Sequence, residues 1–276
     1  MPQLTLGWLT LINARTADVI PAAAAAGFKS VSVRITARKP ADSYDPIVSN
    51  PAAIRNLKSR LEANGVRLSN TSIYHLYPDV TMDHVLPAIE ASAELGAKIM
   101  VATCMDPEHD RWVAFMARYC EAAKQSGITV ALEFVPYSEA RTAAVGEDLV
   151  KRTGADNFGL LVDSLHLSRS GGVPADIAKL DPKHIVFAQI CDATAMRPPF
   201  EGLTNEARTG RLYPGDGALP LYDFLDALPD GLEIEVETPL VAVGERSAIE
   251  QAKLAGDATR TYLDAYCAAR RKPQWR

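Results

Sequence analysis

The 276-residue sequence predicts a single (β/α)8 barrel, and three observations predict it. Strand-like and helix-like stretches alternate strictly along the chain, which implies a parallel sheet whose crossovers are helices. Eight such pairs can be counted, and about 250 residues is the length at which eight pairs close on themselves. The rival, a doubly wound sheet, requires a glycine-rich turn after the first strand, and LTLGWLT carries none. No shift in composition marks a linker, so one domain is expected over residues 1–276.

In order, Leu4 to Thr10 reads as the first strand. Thr16 opens a helix with Asp18 in its first turn, and Gly27 closes it. Phe28 to Ile35 (FKSVSVRI) alternates and is β-branched, giving strand two. After a polar loop over 36–49, Pro51 starts an amphipathic helix that runs to Gly65. Val66 to Leu76, Lys98 to Met105 and Thr129 to Pro136 read as strands three to five. Helices over 81–96, 111–127 and 142–154 come after them in turn. Phe158 to Val162, a nearly continuous apolar run, is strand six and ends on Asp163. A short helix over 175–180 leads to strand seven, Ile185 to Ala193, and a long irregular segment covers 194–219. A helix over 221–228, strand eight over 232–239 (LEIEVETP) and a closing helix over 246–270 complete the pattern. The basic tail ARRKPQWR reads as a solvated end at the negative pole of that last helix.

Composition narrows the class. At 47% hydrophobic and 23% charged residues the chain is ordinary globular material, and its net charge of −5 argues against a nucleic-acid or anionic-membrane surface. Cys104, Cys120, Cys191 and Cys267 show no paired spacing and read as reduced thiols of a cytoplasmic protein. MPQLTLGWLTL lacks a basic n-region and a cleavage site, and no apolar run approaches the roughly 20 residues of a membrane span.

The chemistry sits in strands five to eight. Each carries a polar side chain where a buried run should be apolar: Glu133, Asp163, Gln189 and one of Glu233, Glu235 or Glu237. Strand periodicity turns one face of each strand toward the barrel axis, which gathers these groups near one mouth. Acids gathered there repel one another and lose hydration, and a divalent cation relieves both costs. Three carboxylates and one amide oxygen make an all-oxygen shell, which suits Mg²⁺ or Mn²⁺ better than Zn²⁺. His166, three residues beyond Asp163, is a candidate contact at the mouth. Asp192 either orients a neighbour or caps its loop.

ALEFVP, LLVDSLHL, AQICDA and IEVETP, in that order, resemble the xylose-isomerase-like superfamily of sugar isomerases and epimerases, which also includes endonuclease IV. The resemblance covers essentially the whole chain. It implies one bound divalent metal held by Glu133, Asp163, Gln189 and Glu235, with Glu235 preferred for the closeness of IEV to the following proline. It also implies that the two glutamates stand on either side of the substrate as acid and base, and it makes a homo-oligomer an expectation. Gln189 departs from the histidine of most sugar epimerases and resembles a subgroup that includes bacterial 3-dehydroshikimate dehydratases. With five histidines in the chain, the resemblance to the histidine-rich endonuclease is weaker.

The segment 194–219 carries Arg208 and Arg211 among glycines, which suits a small anionic or polyhydroxylated keto substrate. His75 and Arg34, at the ends of strands three and two, are further substrate candidates, as is Tyr74. Trp8 reads as core. The expected reaction is removal of a carbon-bound proton by Glu133 or Glu235, giving an enediolate. Reprotonation completes an isomerisation or epimerisation. Loss of a β-hydroxyl, with His166 as proton donor, would make a lyase instead.

Overall fold

The computed structural model describes residues 3–42, 47–240 and 245–270, and in it eight parallel strands close into a barrel in sequence order. The strands are β1 Leu4–Leu6, β2 Ser30–Arg34, β3 Arg67–Ser72, β4 Ile99–Thr103, β5 Thr129–Glu133, β6 Phe158–Asp163, β7 Ile185–Ile190 and β8 Ile234–Val236. Closure is made by β1 and β8, with Leu4 opposite Ile234 and Leu6 opposite Val236. The long helices around the barrel are α1 Thr16–Ala25, α2 Pro51–Asn64, α3 Met82–Glu94, α4 His109–Gln125 and α5 Ala143–Thr153. Short helices come next, α6 Ser164–Arg169, α7 Pro174–Ile177, α8 Leu203–Thr209 and α9 Leu221–Ala227, and α10 Ala248–Arg270 ends the described chain. The (β/α)8 barrel expected from the alternation is therefore what the chain forms.

Local chemistry accounts for the helix limits. Asn50 accepts from Ala53 N at 3.2 Å and Pro51 occupies the first turn of α2; Gly65, at φ 60°, ends it in the left-handed region. On the strands, outward residues such as Val31, Val33, Met100, Leu132, Leu160 and Val162 are buried under the helices. Gly159 interrupts the apolar run of β6 for a steric reason: a Cβ there would lie 2.5 Å from Val186 Cγ1 and 2.6 Å from His184 O.

Three segments differ from expectation. The first strand stops at Leu6 because Gly7 N bonds Val236 O at 2.9 Å and the chain then winds into a 3-10 turn, Trp8–Leu11. Residues 194–219 are not wholly irregular, since they hold α8. Directly after β6 comes α6, which periodicity cannot reveal in six residues. The basic tail lies, from residue 271 on, outside the described residues. The four cysteines are buried and free. Among the described residues no helix is long and apolar enough to cross a membrane.

Candidate active site

The start of α6 fixes Asp163. This residue is the N-cap of the helix, and its Oδ1 accepts from Leu165 N at 2.7 Å and His166 N at 3.0 Å. The cap turns the chain sharply at the end of β6 and brings His166 back over the barrel axis. His166 Nε2 lies 3.5 Å from Glu133 Oε1, and its ring meets Tyr137 edge-on at 5.8 Å. Glu133, Asp163 and His166 offer ligand atoms all within 4.8 Å of one another.

The cavity lining separates the β8 glutamates. In register, Asp163 faces Gln189 and Gln189 faces Glu235. Barrel strands lean by about 36°, however, so residues at one height advance by about one position per strand. Glu133 stands opposite Leu161 in register, yet its carboxylate lies within 4.8 Å of that of Asp163. Glu237 lines the mouth cavity together with Glu133, Gln189 and His166. Glu235 sits one layer lower: its Oε2 accepts from Asn70 Nδ2 at 2.7 Å and its Oε1 from Gln189 Nε2 at 2.9 Å. Of the two, Glu237 lines the cavity and Glu235 does not, while the Gln189 amide reaches both. Gln189 Nε2 also reaches Glu237 Oε1 at 3.2 Å, which leaves Gln189 Oε1 buried with no hydrogen-bond partner.

Arg211, from the 194–219 segment, lines the same cavity but is bound to the acid cluster. It is 1% exposed. Its Nε donates to Ala207 O at 2.8 Å, one terminal nitrogen lies 2.5 Å from Asp163 Oδ2, and the other lies 2.7 Å from Glu237 Oε2. A long side chain from the 194–219 segment has become an internal counter-ion of the acid cluster. Arg34 is also largely committed: one terminal nitrogen donates to Ile73 O at 2.9 Å and the guanidinium stacks over Trp8 at 5.0 Å. Arg34, His75 and Arg208 all line the cavity, as do Tyr74 and Trp8. Trp8 is therefore wall rather than core, with its Nε1 donating to Ser72 Oγ at 3.0 Å. Asp192 organises its loop. Its carboxylate accepts from the backbone of Ala193, Leu219, Gly215 and Gly217. A Cβ at Gly217 would fall 2.4 Å from that carboxylate.

Tyr137 is a cavity residue that sequence reasoning passed over, and Glu237 is one it named only as an alternative. The signal for Glu237 was present in the run Glu233, Glu235, Glu237, but the height of each glutamate is a property of the closed barrel. Tyr137 lies in the loop after β5 with no pattern to mark it.

Burial dominates the electrostatics. Loss of hydration, together with repulsion from Asp163, pushes Glu133 up to about 8, while Arg211 partly opposes the rise. Burial likewise raises Glu237 well above the usual range, against the pull of Arg211. Glu235 is raised by burial too, although Asn70, Gln189 and Ser32 hydrogen-bond it and resist the shift. Burial would also raise Asp163, but Arg211 and His166 hold it below the ordinary carboxylate range. His166 is lowered to about 4 by burial, so its ring is neutral at pH 7.

These residues fit a divalent cation. Asp163 and Glu237 share the Arg211 guanidinium and Glu133 lies beyond its ion pairs, which leaves two negative charges uncompensated when all three acids are ionised. Burial and the neighbouring Asp163 charge raise the affinity of Glu133 for a proton, and a cation there would offset both. Gln189 Oε1, buried and without a partner, adds a neutral oxygen donor to the set.

Fold and site together define a (β/α)8 barrel whose mouth holds a carboxylate-rich candidate cation site at the C-terminal ends of β5 to β8. The chain belongs to the xylose isomerase-like TIM barrel family, whose model matches residues 20–258. It is similar to an inosose isomerase of Halalkalibacterium halodurans, 30% identical over 154 residues that cover 53% of this chain and 52% of the relative. It is also similar to a 3-dehydroshikimate dehydratase of Pseudomonas aeruginosa, 28% identical over 135 residues, 49% of this chain and 19% of that protein. The chain thus spans about half the length of the inosose isomerase it matches. Among solved structures, the IOLI protein with a bound zinc atom superposes with a TM-score of 0.79 at 20% identity, covering 96% of this chain and 99% of that one.

Proposed function

We propose that this protein is a divalent-metal-dependent isomerase or epimerase of a small polyhydroxylated keto compound, a sugar or sugar acid. The reading is supported by similarity to an inosose isomerase. The observation that carries it is the pairing of two unspent groups at one cavity: the Glu133 carboxylate and Gln189 Oε1. Glu133, Asp163, Gln189 and Glu237 would hold the cation, with Mn²⁺ or Mg²⁺ favoured by the oxygen donors. When bound, the cation polarises a substrate carbonyl and so acidifies the neighbouring carbon-bound proton.

The proton step falls to Glu133. Glu237 is tied to Arg211 and Gln189, and Glu235 to Asn70 and Gln189. Among the described residues, Glu133 has only the 3.5 Å contact with His166. A carboxylate raised by burial is a competent base near neutral pH once its proton is displaced. His166, neutral and within reach of Glu133, relays a proton to or from the reacting oxygen. Arg211 keeps Asp163 and Glu237 in place throughout.

A lyase is the second reading, supported by Gln189 and by the similarity to a 3-dehydroshikimate dehydratase. Both reactions begin with the same proton removal and part at its fate. Proton NMR in D₂O over a panel of keto polyols and keto acids separates them. Deuterium entering beside the carbonyl with no loss of water supports the isomerase, and a vinylic or aromatic product supports the lyase. Full activity after chelator treatment would overturn both.

A further inference from the structure

We infer that the substrate of this cavity carries a carboxylate, bound by Arg208 and Arg38. The inference rests on the function proposed above and narrows its substrate class. Arg34, Arg38 and Arg208 line the same cavity as Glu133 and Glu237. Arg34 is spent on backbone carbonyls and on the Trp8 ring. Arg38 and Arg208 have no ion pair or side-chain hydrogen bond among the described residues, and the buried Arg208 Nη1 has no partner. A buried guanidinium nitrogen without an acceptor is costly.

The acid cluster does not need these two cations. Arg211 and a dication already balance Glu133, Asp163 and Glu237, so the charges of Arg38 and Arg208 are left for whatever enters. The field of Arg38 is felt locally: burial, then Arg34 and Arg38, lower His75 to about 3, which leaves a neutral ring beside these two arginines.

The loop after β7 argues for a carboxylate over a phosphate. Phosphate cups in barrels are built from glycine-rich backbone N–H groups on such loops. Here the N–H groups of Gly215, Gly217 and Leu219 are all consumed by Asp192. Two planar guanidinium groups remain, and these match a carboxylate.

The test is calorimetric titration of the Mn²⁺-loaded protein with three probes: quinate, a hydroxylated ring with a carboxylate; myo-inositol, a neutral ring; and inorganic phosphate. Quinate is expected to bind at least tenfold more tightly than myo-inositol. Arg208→Leu and Arg38→Leu should each weaken quinate by about tenfold to hundredfold while changing myo-inositol less than about twofold. Arg208→Lys should recover part of the loss, and circular dichroism checks that each variant is folded. Equal binding of the two rings, equal losses for both rings in the variants, or phosphate displacing quinate at lower concentration than quinate itself binds would each overturn the inference. The proposed function fails on a different result, namely wild-type protein that exchanges deuterium into neither neutral nor acidic keto compounds.

Discussion

The two halves of the barrel interior are filled in opposite ways. Beneath the mouth on β4 to β7 lies an apolar layer of Val101, Ala131, Leu161 and Phe187. On β8, β1, β2 and β3 the same depth is a polar lattice. Glu233 pairs with Arg67 at 2.6 Å and takes hydrogen bonds from Thr5 and Ser30, while Glu235 is held by Asn70 and Gln189. One residue type therefore has two fates. Glu133 stands on the apolar layer and is driven toward its protonated form. Glu235 stands in the lattice, where donors satisfy it, and serves to orient Gln189. The floor beneath a carboxylate, more than its place on a strand end, decides whether it is available for chemistry.

The contrast can be broken from either side. Glu133→Gln has the largest expected effect: solvent deuterium exchange into substrate should fall by about 10²–10⁴-fold. The thermal midpoint should hold or rise, because the variant removes an acid that burial disfavours. Exchange retained at the wild-type rate would take Glu133 out of the chemistry. Arg211→Met strips Asp163 and Glu237 of their buried counter-ion, and urea unfolding of the metal-free protein should show a loss of about 3–5 kcal/mol. Saturating Mn²⁺ should return part of that loss. Glu235→Ala, on the polar side, takes the acceptor from the Asn70 amide and leaves Gln189 with Glu237 alone, and should cost about 1–3 kcal/mol by the same measurement.

The smallest effect concerns pH. Glu133, held near 8 in the metal-free site, must release its proton to accept a cation. Below that pH the proton competes with the metal, so Mn²⁺ affinity should climb about tenfold per pH unit and level off above about pH 8. Glu133→Gln should make the slope shallower, leaving the part that the buried Glu237 contributes.

Much of this was legible in the sequence. Alternation and length were enough for the barrel, and polar residues in buried runs pointed to Glu133, Asp163 and Gln189. Height was not legible. Three glutamates on one face of β8 are equivalent until the barrel closes, and only then does Glu237 line the cavity. Arg211 and Arg208 illustrate a second limit: they sit three residues apart in one segment, yet one is folded inward as a counter-ion and the other keeps a buried nitrogen without a partner. The turn that decides this, α8 together with the Asp192 clamp, is too short to carry a periodic signal.

The claim that oxygens at the ends of β5 to β8 hold one divalent ion is tested most directly by titrating Mn²⁺ into chelator-stripped protein and reading free ion by electron paramagnetic resonance. One ion should bind per chain, and Gln189→Leu, which removes the unpartnered oxygen, should weaken it by at least about tenfold. No stoichiometric binding, or an affinity unchanged in Gln189→Leu, would contradict it.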